Sequence, residues 1–270
     1  MKSTWKSPLR YPGGKSRAID RILPQVPASI LEYREPFIGG GSVYLAARSL
    51  FKSRLRYTIN DLNSDLVHFW RFVRDDLDTL ADSVDSFHHH YADNGRGLYE
   101  FLKDEKNMRS DFDRAVRFFI MNRITFSGVM DAGGYSQQAF ESRFTLSSIA
   151  RLRDLQGALS GCAITHDDYA PLVMQPGEGV FIFLDPPYYS ATESRLYGVR
   201  GELHLGFDHL RFAEVMRACP HRWLITYDDS PVIRDLFSFA HIVEWELQYG
   251  MNNYKQGAAA VGKELFIRNY

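Results

Sequence analysis

The chain has 270 residues, 45% of them hydrophobic and 24% charged, with a formal net charge of -1. Those proportions suit a soluble α/β domain, or a core domain carrying an insertion, and exclude wholesale disorder. No apolar run approaches the roughly 18 residues that a membrane helix needs, and residues 1–16 lack the apolar stretch of a secretory signal. Two distant cysteines, Cys162 and Cys219, form no C-x-x-C pattern, so a cytoplasmic protein is expected rather than a disulfide framework or a zinc site. Charge is uneven along the chain: residues 1–17 hold Lys2, Lys6, Arg10, Lys15 and Arg17 without an acid, whereas residues 61–85 hold seven aspartates against two arginines. A basic face on a near-neutral protein can hold phosphates, with a shallow salt dependence.

Residues 16–26 predict a short helix ended near Pro24 and Pro27. A strand is predicted over 30–33, leading through Pro36-Phe37-Ile38 into Gly39-Gly40-Gly41. Val43, Leu45, Ala46, Ala47 and Leu50 predict a helix over 42–51, followed by a strand over 56–61 and a helix over 64–80. Strand, glycine turn, helix and strand in succession describe a right-handed βαβ unit. Residues 81–160 are more charged and helical, with no long β-like run. There Ser110 and Asp113 start a helix whose apolar stripe is Phe112, Val116, Phe119 and Ile120, with Arg114 and Arg117 pointing away. A glycine-containing loop, 127–136, follows. Strands are then predicted over 163–167, 180–184 and 223–227, helices over 207–219 and 230–237, and two final strands over 242–249 and 265–270. The apolar run 180–184 suits a sheet centre. The expected architecture is a doubly wound, Rossmann-like α/β sheet built from residues 1–80 and 161–270, with a mainly helical insertion at 81–160.

Gly39, Gly40 and Gly41 lie where a strand meets a helix, the position at which open α/β sheets bind ligands. Glycine there permits positive φ and close approach of a cofactor. Asp61, 20 residues after Gly41 at the end of the next strand, is placed to hold ribose hydroxyls. A dinucleotide fingerprint would need Gly or Ala where Tyr44 stands, which argues against nicotinamide binding. Pro12-Gly13-Gly14-Lys15-Ser16 hints at a phosphate loop, but Leu9 occupies the position of its first glycine and no strand precedes it. His88-His89-His90 reads as a solvated run in a polar connecting region, and no metal is expected.

Asp185-Pro186-Pro187-Tyr188, directly after the apolar strand, is the strongest chemical signal. An exocyclic amine conjugated with an aromatic base is a poor nucleophile. A carboxylate (Asp185) and a backbone carbonyl (Pro186) that accept its two hydrogens favour pyramidal nitrogen and free the lone pair for attack on a sulfonium methyl. The prolines stiffen the backbone, and Tyr188 offers a face for a base that has left the duplex. The order of motifs resembles the Dam-like, class α amino-methyltransferases that act on adenine N6 in DNA. The resemblance rests on Leu9-Arg10-Tyr11-Pro12-Gly13-Gly14-Lys15, then Glu35-Pro36-Phe37-Ile38-Gly39-Gly40-Gly41-Ser42, then Asp185-Pro186-Pro187-Tyr188 after a long gap.

That resemblance implies S-adenosylmethionine as methyl donor and double-stranded DNA as partner, with the insertion as the target-recognition domain. It implies that Tyr11 and Lys15 contact the cofactor, that Phe37, Gly39 and Gly41 line its pocket, and that Asp61 holds its ribose. Asp168 meets its adenine, with Asp167 as the alternative, and Asp185 touches both cofactor and target base. Arg10 stands at a position that is often basic and DNA-contacting. Asn122, Arg123, Ser127 and Tyr135 match the family's recognition hairpin in position, while Met130-Asp131-Ala132 departs from members that read GATC. Arg123, Gln137, Gln138 and Arg143 are candidates for reading base edges. A monomer is expected, with a separately acting restriction endonuclease as a candidate partner. Cytosine N4, chemically similar, and a catalytically silent DNA-binding module are the alternatives carried forward.

Overall fold

The computed structural model describes residues 5–126, 133–189, 206–248 and 261–270. Among the described residues, seven strands form one sheet: β1 Glu32–Glu35, β2 Arg56–Asn60, β3 Cys162–Thr165, β4 Val180–Leu184, β5 Arg222–Asp228, β6 His241–Gln248 and β7 Val261–Arg268. Their order is β3-β2-β1-β4-β5-β7-β6. Neighbours among β1 to β5 are parallel, and β7 inserts antiparallel between β5 and β6. The chain works outward from β1 to β3, then returns to lay β4 beside β1 and works the other way. The C-terminal ends of β1 and β4 therefore flank the switch point at which such sheets take ligands.

β4 is buried along its whole length, as its apolar run predicts. β1 lies two residues later than expected because its sequence, Glu-Tyr-Arg-Glu, carries no apolar signal although all four residues are buried. Its charges are partnered inside the protein. Arg34 donates to Glu32 and to the carbonyls of Leu172, Gln175 and Pro176, while the Tyr33 hydroxyl donates to Glu35 at 2.6 Å.

The helices, in chain order, are α1 Ile19–Ile22, α2 Ser42–Phe51, α3 Ser64–Asp75, α4 Leu77–His90, α5 Gly95–Lys103, α6 Asp111–Ile124, α7 Gln137–Arg143, α8 Leu146–Arg153, α9 Tyr169–Met174, α10 His209–Ala218 and α11 Pro231–Leu236. α2 has the predicted bounds. The helix expected over 64–80 is instead two, broken at Asp76, whose φ of -154° and ψ of 59° leave the helical region. Apolar periodicity continues through the break in Val73, Leu77, Leu80 and Val84, so the pattern alone conceals it. His88, His89 and His90 form the last turn of α4 rather than a connecting loop.

Helices α3 to α8 all lie between β2 and β3. Their apolar faces merge with one side of the sheet, so that Leu80, Val84, Leu98 and Phe118 belong to the same buried cluster as Tyr33, Tyr57 and Ile59. A second cluster, including Tyr169, Phe212, Trp223 and Phe237, covers sheet residues such as Ile182 and Ile225. α6 runs through the helical layer, and its residues from Ala115 to Ile124 are all buried. Arg117 therefore does not point to solvent as its stripe position suggested. It is buried, pairs with Asp65 of α3 at 2.6 Å and donates to the Leu102 carbonyl at 2.9 Å. Such a pair is tolerated because the guanidinium is both charge-matched and hydrogen-bonded. Arg114, half-buried, approaches Asp65 and Glu105. Among the described residues no helix is long and apolar enough to cross a membrane.

Candidate active site

A cavity of about 450 Å³ opens at the switch point, lined by residues that include Tyr11, Phe37, Gly39, Asp61, Asp185 and Tyr188. Its size is that of a small-molecule site. Gly39 and Gly41 have φ of 45° and 68°, a region that residues with side chains avoid. Gly41 also starts α2, and a Cβ on it would lie 2.7 Å from the Trp70 ring. The Tyr11 ring rests on Gly39, and a Cβ on Gly40 would lie 2.9 Å from that of Tyr11. Asp61, just past β2, accepts the Gly39 and Asn63 amide N–H groups at 3.0 Å each, and the Trp70 indole donates to the Gly39 carbonyl at 3.1 Å. The loop is thus shaped by the protein itself. Burial raises the Asp61 carboxyl above its ordinary range, against the pull of those amides.

The β4 end brings Asp185 to the cavity wall. Its Oδ1 meets the Lys15 ammonium at 2.8 Å and the Thr226 hydroxyl at 2.7 Å. Lys15, 3% exposed, is no surface lysine; its Nζ also donates to the Gly13 carbonyl at 2.8 Å and lies 4.7 Å from the centre of the Tyr188 ring. The Tyr188 hydroxyl donates to Glu264, buried on β7, at 2.9 Å. Behind Asp185 sits Glu35, whose carboxyl is raised well above its usual range, chiefly by burial and further by the charge of Asp185, with the Tyr33 hydrogen bond opposing.

At the far end of the cavity, Asp167 and Asp168 both line the wall. Asp168 is held by a two-pronged pair with Arg211, at 2.9 and 2.8 Å, and caps α9 through the Ala170 N–H. Arg211 depresses the Asp168 carboxyl below its ordinary range. Asn60 braces this end, donating to the Pro36 and Asp167 carbonyls and accepting from the Asp167 N–H. Phe37 sits edge-on to Phe207 and Phe212 and tilted against Tyr169.

The expected DNA-contacting residues divide. Arg10 is exposed, and its backbone is held by Asn122. Arg123 is 4% exposed and has its guanidinium pushed down to about 10, by burial first and then by the charges of Arg151, Arg10 and Arg143. Tyr135 pairs antiparallel with Thr125, and bonds between Phe126 and Gly134 and between Ser136 and Ile124 complete the stem of a hairpin. Ser127 and Met130-Asp131-Ala132 lie outside the described residues. Gln137 accepts the Tyr135 hydroxyl and donates to Glu141; Gln138 is exposed and Arg143 half-buried. Beside the stem Phe126 is 67% exposed.

Sequence reasoning missed Thr226, Glu264, Arg211 and Phe126. Thr226 interrupts the buried run of β5, and a polar residue inside such a strand is a signal that something specific must satisfy it, whereas Glu264 follows Gly262 and exposed Lys263 and gives no such signal. Arg211 and Phe126 carry no comparable local signal.

The model of the D12 class N6 adenine-specific DNA methyltransferases matches residues 11–251. The chain is 22% identical to the type II methyltransferase M1.LlaDCHI of Lactococcus lactis subsp. cremoris, across 97% of this chain and 94% of that one. It is 22% identical to the DNA adenine methylase of Escherichia coli K12, across 87% and 86% of the two chains. It is also 25% identical to the DNA N-6-adenine-methyltransferase of Escherichia phage P1, across 86% of this chain and 31% of that longer protein. Motif order, sheet order and the Asp185 pocket agree with these likenesses, and the chain belongs to the D12 class N6 adenine-specific DNA methyltransferase family.

Proposed function

We propose that the chain transfers a methyl group from S-adenosylmethionine to N6 of an adenine flipped out of double-stranded DNA. The observation that carries this reading is Asp185: Lys15 and Thr226 both engage Oδ1, which leaves Oδ2 to accept a hydrogen from the substrate amine. The cavity suits the donor, with Asp61 for hydroxyls, aromatic Phe37 and Tyr11 beside the glycine loop, and carboxylates at its far end. When bound, S-adenosylmethionine supplies an electrophilic methyl. Asp185 and the Pro186 carbonyl accept hydrogen bonds from the two amine hydrogens, orient the nitrogen lone pair and stabilise the positive charge that develops on it; one of the two protons is then lost and the other stays on the methylated amine. Tyr188, braced by Glu264 through its hydroxyl, offers the flipped base an aromatic face. The insertion at residues 81–160, which forms most of the helical layer, serves target recognition. Arg10, Arg123 and Tyr135 contact DNA, joined by Gln137 and Ser127, and exposed Phe126 adds an aromatic side chain to that face.

The test is expression of the wild type and of Asp185→Ala in a bacterial host free of DNA methylation, with sequencing of native DNA for modified bases. N6-methyladenine confined to one short motif with the wild type, and none with the folded variant, is expected. Methylated cytosine would move the chemistry to N4, and turnover by the variant would remove Asp185 from its role.

A further inference from the structure

Asn122 adjoins Arg123 in sequence, beside the expected recognition hairpin, yet its side chain serves a different purpose. It is 1% exposed and grips the Arg10 backbone with both ends of its amide. Its Oδ1 accepts the Arg10 N–H at 2.9 Å and its Nδ2 donates to the Arg10 carbonyl at 2.8 Å, across 112 residues of chain. The two bonds fix the Arg10 backbone much as a neighbouring strand would.

Arg10 begins the segment that enters the cavity. The next residue, Tyr11, lies against Gly39 and Gly40. A turn follows, closed by the Gly14 N–H on the Tyr11 carbonyl at 3.0 Å. The segment ends with Lys15, 2.8 Å from Asp185. An unbroken line of packed or bonded groups therefore runs from α6 of the helical layer to the carboxylate at the end of β4. We propose that Asn122 is a positioning residue for methyl transfer: by clamping Arg10 it sets the contact of Lys15 with Asp185 and ties the helical layer to the acceptor carboxylate. The proposal rests on the reading of Asp185 as acceptor of the amine hydrogens.

Releasing the clamp frees the start of a short reach whose end must be placed to within a fraction of an ångström. A misplacement of about 1 Å at a reacting group costs on the order of 100-fold in rate. Asn122→Ala is expected to lower the single-turnover rate, at saturating DNA and S-adenosylmethionine, by roughly 10- to 100-fold. Saturating DNA and donor keep any weakening of binding at Arg10 or Tyr11, which the same segment carries, out of the measured rate.

The deciding experiment is a double-mutant cycle with Lys15→Met, read in single-turnover methylation with labelled donor. If Asn122 acts through Lys15, adding Asn122→Ala to Lys15→Met costs less than about twofold more. A merely structural asparagine would impose its full loss in either background, and independent, multiplying losses overturn the proposal. Should Asn122→Ala fail to fold, as judged by loss of S-adenosylmethionine binding, Asn122→Asp runs the same cycle, keeping the acceptor for the Arg10 N–H and losing the donor. Asp185→Ala is measured alongside. Turnover retained there removes the acceptor reading and this proposal with it; turnover abolished with independent losses in the cycle removes the clamp alone.

Discussion

Thr226→Val tests whether the Asp185 carboxylate is held in place for the reaction. The valine keeps the shape of the side chain on β5, which is fully buried, and deletes one hydroxyl that donates to Asp185 Oδ1 at 2.7 Å. A hydrogen bond to a charged group contributes about 1.5–3 kcal/mol. Lys15 still holds the same oxygen at 2.8 Å, so the carboxylate stays in the cavity but gains a rotational freedom it lacked. If that bond is needed in full at the transition state, the rate falls by roughly 10- to 100-fold, since about 1.4 kcal/mol is a factor of ten. The assay is single-turnover methylation of unmodified duplex DNA at saturating S-adenosylmethionine, with donor affinity measured separately by calorimetry. The loss should appear in the rate and not in donor affinity. A rate within twofold of wild type, in a protein that binds donor normally, would show that Lys15 alone orients Asp185.

Gly41→Ala forces a side chain into positive φ and against the Trp70 ring, 2.7 Å away, and should destabilise the fold by about 2–5 kcal/mol, read from the denaturant midpoint. A midpoint unchanged at constant slope would mean that the loop relaxes freely. Glu35→Gln addresses the buried carboxyl behind Asp185. Because the folded pKa of Glu35 is raised, the wild type has its full Glu35 contribution below the unfolded value near 4.5 and loses it as pH rises through the folded value. The melting temperature of Glu35→Gln relative to wild type should therefore climb as pH rises above 4.5, and a flat difference would refute burial as the cause. Arg123→Ala should weaken DNA binding or relax its sequence preference, read as affinity for duplexes of varied sequence. An unchanged affinity and sequence profile would remove Arg123 from the DNA contacts.

The glycine loop and the Asp185 tetrapeptide were legible in the sequence because each sits at a strand end, where local geometry and chemistry demand particular residue types. Lys15 was legible as a site residue only through its place in a motif, since nothing local distinguishes a lysine that will be buried. The helix break at Asp76, the charged but buried β1 and the inward turn of Arg117 were hidden for one shared reason. Apolar periodicity reports which side of an element is greasy, and says nothing where charged side chains find partners inside, as Arg34 does with Glu32 and Arg117 with Asp65. The partners of Asp185 and Tyr188, Thr226 and Glu264, stand 41 and 76 residues away from them, and only the sheet order brings them together.

The indole of Trp70 has a consequence for exchange of specificity between relatives. It belongs to α3, within the helical stretch between β2 and β3, yet it supports the Gly39 carbonyl and fills the space beneath Gly41. Asn122 of α6 crosses the same boundary at Arg10, and the apolar cluster is continuous across it. The helical layer is therefore no cassette. A graft that replaced everything between the two strands would carry away the floor of the glycine loop. A chimera that is to keep a working pocket must begin its foreign segment after α3 and supply its own side chain to hold the backbone of residue 10.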